Sequence, residues 1–563
     1  MTDSPDKRPN MVGADLIVSN LVAHGVTHVF GIPGAKVDRL FDALVDSPIE
    51  TIVTRHEQNA AFIAAGVGRL TGRAGVALGT SGPGASNLLT GLATATSEGD
   101  PVLAIAGAVR LADRLKLTHQ TMDTVSLFKP VTKLSQEIPA PSAVSETIAN
   151  ALRAAESGRP GAAFVSTPMD ILNQPACGSV LTGRSAPAYG RAPDAAIEEA
   201  LVILRKAKRP VFLLGMMASQ PSVAKAIQKL VAAMRAPVVG TFQAAGALSE
   251  ALVGRFGGRV GLFRNQHGDR LLDSADLVIA IGYDPVEYDP VLWNTDDSRL
   301  IVHIDTVRAE IDNRYAPSVE LLGDIAETVL ELSRRAVPAP RAEDLENILR
   351  SYKAKQALAF SRARSDRPGL LHPLEIVHEL ADVVGSDMTV CLDMGSFHIW
   401  MARYMLSFRP RQLLISNGQQ TMGVGLPWGI AASIVQPSQK VISVSGDGGF
   451  MMSSMELETA VRLKCNLIHV VWVDQAYNMV EVQERKKYGR QSGVEFGPID
   501  FAAYAVACGA HGMTVHTAQE LRNALRDAME LEGPIVISVP VDYSHNVQLL
   551  EPLGALGETS AAA

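Results

Sequence analysis

Two aspartates carry the most specific chemistry in this chain. Gly446-Asp447-Gly448-Gly449 follows the apolar run VISVS, and 27 residues on, the apolar run LIHVVWV is succeeded by Asp474, then Gln475-Ala476-Tyr477-Asn478. Glycines at a strand's carboxyl end let backbone N–H groups approach a ligand closely. A helix beginning near Ser453 would turn its positive end toward the same spot. An acid in such a turn suits a hard cation such as Mg²⁺, which takes oxygen ligands and joins carboxylates to phosphates. If the two runs are neighbouring parallel strands, Asp447 and Asp474 share the sheet edge where α/β proteins bind ligands. The bland reading of Asp447 is a helix cap after a glycine turn; two acids at matching strand ends weigh against it. A third acid, Glu57, opens the periodic run in TRHEQNAAFIAAGVGRLTG (54–72). On its own it is a first-turn glutamate favoured by the helix dipole.

Familiar signatures are absent. No G-x-x-x-x-G-K-[ST] occurs, which argues against a P-loop nucleotide hydrolase. GTSGPGASN (79–87) lacks the third glycine of the dinucleotide fingerprint. It also misses the nucleophile elbow by one position, so Ser81 is not a nucleophile on that pattern. After His56-Glu57 the second zinc ligand is missing, because Ala60 stands in its place.

The elements that must position these residues read as strand–helix alternation. Candidate strands are THVFGI (27–32), ETIVT (50–54), GVALGT (75–80) and PVLAIAG (101–107), with periodic stretches at 35–46 and 56–72 between them. The texture returns with PVFLLG (210–215), LVIAIG (277–282) and LIVHID (300–305). A third block holds MTVCLDMG (388–395), QLLISN (412–417), KVISVSGDGG (440–449), LIHVVWVD (467–474) and PIVISVPVD (534–542). Near-continuous apolar strands separated by helices predict parallel sheets covered on both faces. The expected fold is therefore α/β, with three doubly wound parallel-sheet domains at 1–183, 190–338 and 365–555. The proline-bearing stretches 182–194 and 336–344 read as linkers.

Composition fits a large globular protein. Of 563 residues 47% are hydrophobic and 20% charged, and 51 basic residues against 59 acidic ones give −8 with no like-charge block. A nucleic-acid partner or an anionic membrane surface is not expected. Four cysteines without paired spacing suggest neither a disulfide framework nor a zinc ribbon. No apolar run spans a bilayer, and the first residues lack the apolar core of a signal peptide, so a cytoplasmic location is expected.

The GDG motif with its second acid resembles the diphosphate–Mg²⁺ motif of thiamine-diphosphate enzymes. Such enzymes usually show two asparagines at the second position, where this chain has Val473-Asp474. FGIPGAKV (30–37), TSGPGASNLLTG (80–91), DMGSFHIW (393–400), NGQQTMGVGLPW (417–428) and GDGGFMMSSMELETAVRL (446–463) narrow the likeness to the acetolactate synthase family, most like its catabolic, acetoin- and butanediol-forming branch. The resemblance spans about residues 12–550.

This resemblance implies a division of labour. Asp447, Asp474 and the Ala476 carbonyl would ligate Mg²⁺. Met394, Gly395, Ser396, Phe397 and His398 would hold the diphosphate. Pro33, Gly34, Pro83, Asn87, Gly446, Gly448, Gly449, Tyr477, Asn478 and Met479 would also contribute to cofactor binding. Glu57 would share a proton with the aminopyrimidine N1′, work that suits a carboxyl in apolar surroundings. Gln420 would offer a backbone carbonyl to the 4′-amino group, and Met422 would prop the cofactor's bent shape; without the likeness Met422 is a flexible core filler. Gln120, in THQTMD (118–123), would stand near the reacting carbon. Decarboxylases of similar build carry two adjacent histidines, whereas this chain has His119-Gln120 and no His-His pair.

The implied reaction decarboxylates pyruvate and ligates the hydroxyethyl carbanion to a second pyruvate, giving 2-acetolactate and CO₂. The alternatives are another thiamine-diphosphate decarboxylase or oxidase, or a paralogue without catalysis. The likeness further implies an obligate homodimer, as a homotetramer, in which Glu57 and Asp447 meet only across subunits. Biosynthetic members bind FAD in the middle domain; GMMASQPS (215–222) places bulky Met216 and Met217 there, so no FAD is expected. In NMVEVQERKKY (478–488), Met479 and Gln483 share a helical face. Biosynthetic members have tryptophan where Gln483 stands, which predicts a preference for pyruvate as acceptor.

Overall fold

The computed structural model describes residues 11–182 and 189–550. The expectations for the first ten residues, for 183–188 of the first linker and for 551–555 of the last domain lie outside the described residues. Three six-stranded sheets form, and every pairing within them is parallel.

The first sheet holds β1 (His28–Gly31), β2 (Glu50–Val53), β3 (Gly75–Gly79), β4 (Val102–Ala108), β5 (Leu134–Glu137) and β6 (Ala162–Pro168), ordered β2-β1-β3-β4-β6-β5. The second holds β7 (Pro210–Leu214), β8 (Val238–Thr241), β9 (Phe256–Val260), β10 (Leu277–Ile281), β11 (Leu300–Asp305) and β12 (Val319–Leu322), ordered β12-β11-β10-β7-β8-β9. The third holds β13 (Thr389–Leu392), β14 (Leu413–Leu414), β15 (Val441–Gly446), β16 (Leu467–Val473), β17 (His511–Thr514) and β18 (Ile535–Pro540), ordered β14-β13-β15-β16-β18-β17. The expected fold class is borne out.

The apolar runs become strands because helices cover them on both sides. All seven residues of β4 and of β6 are buried, as parallel strands inside such layers must be. The covering helices bury one stripe each: in Asp194–Lys206 it is Ile197, Ala200, Leu201 and Leu204.

Two compact units result, Met1–Pro187 with Ile430–Gln436 and Ala188–Gly429 with Pro437–Ala563. The second and third sheets share the latter. Arg259, near the end of β9, donates to the carbonyls of Ala402 and Met405 at 2.8 Å each and to Ser407 Oγ at 2.7 Å. Asn265 Nδ2 donates to the Leu549 carbonyl at 2.6 Å.

Strand order has a direct consequence for ligand binding. The chain reverses direction of growth between β1 and β3, between β7 and β10, and between β13 and β15. At each such point the loops leaving the two strands diverge to opposite faces and open a crevice at the carboxyl edge. In the second sheet that crevice is filled. The turn after β7 packs so closely that a Cβ on Gly215 would meet Tyr283 Cα at 2.3 Å and Glu287 Oε1 at 2.6 Å. Met216 and Met217 are buried beside it. The Glu287 carboxylate, itself buried, accepts from Met216 N at 2.9 Å, Asp284 N at 3.1 Å and Thr241 Oγ1 at 2.5 Å.

Candidate active site

The first sheet's crevice collects one group of sequence-predicted residues. Pro33 and Gly34 follow β1, and Glu57 begins the helix Glu57–Thr71 after β2. Pro83 and Asn87 bound the short helix Pro83–Asn87 after β3. Glu57 sits at the helix N-terminus because His56 takes the cap position, its Nδ1 accepting from Gln58 N at 3.1 Å. The Glu57 side chain is 7% exposed, and its Oε2 accepts from Asn87 Nδ2 at 2.9 Å. Gln120 belongs to the same group: Ser81 Oγ donates to Gln120 Oε1 at 2.7 Å. Ser81, no nucleophile by its motif, is thus the residue that aims Gln120.

The third sheet's crevice collects the other group, in the second compact unit. Gly446↔Trp472 is the last register pair of β15 and β16, so the turns carrying Asp447 and Asp474 lie side by side. Asp447 is 2% exposed; its Oδ1 accepts from Gly448 N at 2.9 Å, and its Oδ2 from Gln475 N at 2.7 Å and Asp474 N at 3.1 Å. Burial raises both carboxyls. Asp447 is drawn back by those N–H donors, while Asp474 is pushed up to about 8 by burial and then by the Asp447 charge. Two acids that repel each other this strongly form a ready seat for a divalent cation, which would stabilise both charged forms.

The donor set fits Mg²⁺. Among the described residues no group of three or more His, Cys, Asp or Glu side chains could hold a metal. Two carboxylates and a backbone carbonyl are hard oxygen donors of the kind this ion takes, alongside phosphate oxygens and water.

The helix after the glycine turn begins at Asp447, running Asp447–Ser453, and not near Ser453 as the sequence suggested. Gly446 is extended and takes the cap position, so Gly448 and Gly449 lie in the first helical turn. They are small for packing reasons. A Cβ on Gly448 would meet the Tyr477 ring at 2.7 Å, and one on Gly449 would meet Asp393 Oδ1 at 2.9 Å.

Asp393, which sequence reasoning passed over, organises the crevice. It follows β13, is 1% exposed, and accepts from Met394 N at 2.7 Å, Gly423 N at 2.9 Å and Gly425 N at 2.9 Å. One carboxylate thereby joins the loop with Met394 and Gly395 to the loop with Gln420 and Met422. The available signal was an acid directly after the apolar run TVCL. Ser396 Oγ then reaches across to Asn478 Oδ1 at 2.7 Å, beside Tyr477 and the helix Asn478–Tyr488. Of the residues expected at the diphosphate, Phe397 and His398 turn their side chains into the protein, being 1% and 0% exposed. His398 lies edge-on to Phe242, and burial holds its imidazole down at about 4. These two support the loop from behind; Met394 and Gly395 are half-buried, and Ser396 is 4% exposed.

Three glutamines of these loops adopt the left-handed backbone region: Gln120 at φ +62°, Gln420 at +52° and Gln475 at +61°. Non-glycine residues enter that region at a cost and cluster at ligand sites. On the helix Asn478–Tyr488 no residue is fully buried; Met479 is half-buried and Gln483 exposed.

Removing Asp393 should be costly and pH-dependent. Asp393→Ala orphans three buried N–H donors at about 1–3 kcal/mol each, so a loss of at least ~3 kcal/mol is expected. Burial holds the folded carboxyl at about 6, above its ordinary 3.8, so the folded state binds that proton more tightly than the unfolded chain. Its contribution to stability is therefore full below about pH 4 and falls as pH rises through 6. Urea midpoints of wild type and Asp393→Asn should draw together from about pH 4.5 to 7; a gap that widens with pH would contradict this assignment.

Comparison with known proteins agrees with this geometry. Descriptions of thiamine pyrophosphate enzymes match in chain order: the N-terminal TPP binding domain at residues 11–127, the central domain at 197–332 and the C-terminal TPP binding domain at 393–539. The chain is 55% identical over 547 residues to a catabolic acetolactate synthase of Raoultella terrigena, covering 96% of this chain and 97% of that one. It is 51% identical over 555 residues to an acetolactate synthase of Bacillus subtilis (strain 168), covering 98% and 97%. The large subunit of acetolactate synthase isozyme 2 of Escherichia coli (strain K12) is 32% identical over 562 residues, covering 97% and 98%. Matched along nearly its whole length by these relatives, the chain belongs to the acetolactate synthase family of thiamine pyrophosphate enzymes.

Proposed function

We propose that the protein joins two pyruvate molecules into 2-acetolactate with release of CO₂, as a transferase using thiamine diphosphate and Mg²⁺. The observation that carries this reading is the repelling Asp447–Asp474 pair at adjacent strand ends, in a chain that matches acetolactate synthases along nearly its whole length. Thiamine diphosphate, when bound, supplies an electron sink beside the carbonyl carbon of the first pyruvate. The chain's own residues do the rest. Asp447, Asp474 and the Ala476 carbonyl would hold Mg²⁺ against the diphosphate, and Met394, Gly395 and Ser396 would bind it from the loop. Glu57 would hold a proton at the aminopyrimidine, oriented through Oε2 by Asn87 with Oε1 left to share it. Gln420 and Met422 would support the ring system, and Gln120, aimed by Ser81, would stand near the reacting carbon. Because glutamine follows His119, the adjacent histidine pair of the decarboxylases is missing, which would favour ligation to a second ketoacid over protonation.

On this reading the functional domains are 1–183, 190–338 and 365–555. We take the protein to be an obligate homodimer, assembled further as a homotetramer, in which Glu57 of one subunit and Asp447 of another serve one site. An active monomer in sedimentation would contradict this. No FAD is expected in the middle domain, because bulky Met216 and Met217 follow β7 and Glu287 accepts from Met216 N and Asp284 N there; a stoichiometric flavin in the purified protein would refute that. Among the described residues no helix is long and apolar enough to cross a membrane. Cysteines without disulfides fit a reducing cytoplasm, and a role in acetoin formation follows from the catabolic likeness.

Pure protein given pyruvate, thiamine diphosphate and Mg²⁺ should yield acetolactate. Acetaldehyde as the main product would favour a decarboxylase, and acetyl phosphate or peroxide an oxidase. Glu57→Gln should keep cofactor affinity nearly intact in calorimetry and lower the rate by at least about 10². Full activity in that variant would remove Glu57 from the chemistry.

Acceptor choice rests on Gln483. Its amide offers less apolar surface than an indole, so 2-ketobutyrate gains little from its added methylene. A methylene in a fitted pocket is worth about 1–3 kcal/mol, or roughly 10–200-fold. Wild type should prefer pyruvate, and Gln483→Trp should raise the ratio of acetohydroxybutyrate to acetolactate from mixed substrates. An unchanged ratio would show that Gln483 does not set specificity.

A further inference from the structure

A cavity of about 590 Å³ opens where the helix Glu343–Arg362 and the segment 545–549 pass the end of the helix Ser396–Tyr404. That is the size of a small-molecule site, ~300–1,000 Å³. Four cations line it, Lys355, Arg362, Arg364 and Arg403, and among the described residues no carboxylate lines it.

Arg403 is the most informative of them. It is 8% exposed; its Nη2 donates to Asn265 Oδ1 at 2.7 Å, and its Nε has no partner. Burial draws the guanidinium down to about 10. The nearby acids are already committed. Asp269 takes the Tyr288 hydroxyl and Gln266 N. Glu375 accepts from His372 N at 3.0 Å and faces Arg364 at 3.7 Å. Asp542 accepts from Ser365 Oγ at 2.8 Å and Ser544 N at 3.0 Å.

The resulting field is felt by the histidines around the cavity. His267 is held at about 4 by burial and by the charges of Lys355 and Arg270, and His372 at about 4 by burial and His545, with Asp542 pulling weakly the other way. A buried cation is costly; Asp269 offsets part of that cost for Arg403, and an anion in the cavity would offset more. The wall of the cavity is aromatic. Trp400 and Tyr404 stack with ring centres 5.7 Å apart, a surface suited to a flat heterocycle.

We propose that this cavity binds a phosphate-bearing small molecule, its phosphate against Lys355, Arg362 and Arg403 and its base, in a nucleotide, against Trp400 and Tyr404. The test uses holoenzyme saturated with thiamine diphosphate and Mg²⁺, so that the cofactor's own diphosphate seat is filled. Calorimetry at low ionic strength compares ADP with inorganic phosphate, on wild type and on the surface variant Lys355→Glu/Arg362→Glu. ADP should bind once per chain, and the variant should weaken it at least about tenfold while acetolactate formation without ADP is unchanged. Tighter binding of ADP than of phosphate identifies a nucleotide as the ligand. Equal binding, abolished by the variant, supports the anion seat with free phosphate as its source. No heat from either ligand, or ADP binding indifferent to the charge reversal, would overturn the proposal.

Discussion

The site half in the third sheet depends on one buried carboxylate that never needs to touch a substrate. Asp393 accepts three backbone N–H groups from two loops and leaves room for a helix turn only because residue 449 has no side chain. Loops are otherwise poorly specified, since their backbone groups can be satisfied by water in many arrangements. A charge buried at the carboxyl end of β13 removes that freedom: its donors must stay or its burial cannot be sustained. The glycines at 423, 425 and 449, the turn at 394–396 and the start of the helix Asp447–Ser453 are thus fixed by a single requirement.

The same doubly wound plan appears three times, and the three crevices at the reversal points have been put to different uses. The first presents Glu57 with Asn87 as its orienting donor. The third presents two acids at neighbouring strand ends. The second is closed by Glu287, which turns the donors of the β7 turn inward. There, in the middle domain, a buried carboxylate takes up main-chain and hydroxyl donors at the reversal point. Arg259 and Asn265 then fasten that domain to the third sheet through backbone carbonyls.

Much of this was legible in the sequence, and the failures have physical causes. Most central strands were readable because parallel strands covered on both faces are continuous apolar runs, as in LIHVVWV and VLAIAGA, though β6 and β8, also central, were not singled out. The strands that escaped include β5 (LSQE), β9 (FGGRV), β12 (VELL) and β17 (HGMT), each at a sheet edge. An edge strand is half-solvated and short, so its pattern resembles a loop. Asp447 and Asp474 stood out because chemistry demands acids at strand ends at a set spacing. Asp393 and Glu287 did not, because their meaning lies in donors 30 and more residues away. The start of the helix at Asp447 was missed for a related reason: glycines look like a turn until Tyr477 and Asp393 are seen against them.

The acidic pair also explains why a site of this kind would be silent without its ion. Asp474 is held at about 8 because it is buried beside Asp447, so near neutral pH the pair resists carrying two charges. Ligation of a divalent cation requires both to be ionised, and the cation's field would repay that cost only where further oxygens complete its shell. An ion alone therefore has less to gain at this pair than an ion arriving with a diphosphate. Each would raise the affinity of the other by the same factor, as linkage requires. On the proposed reading, a seat of Asp447, Asp474 and the Ala476 carbonyl would favour a metal arriving with a diphosphate over the ion alone.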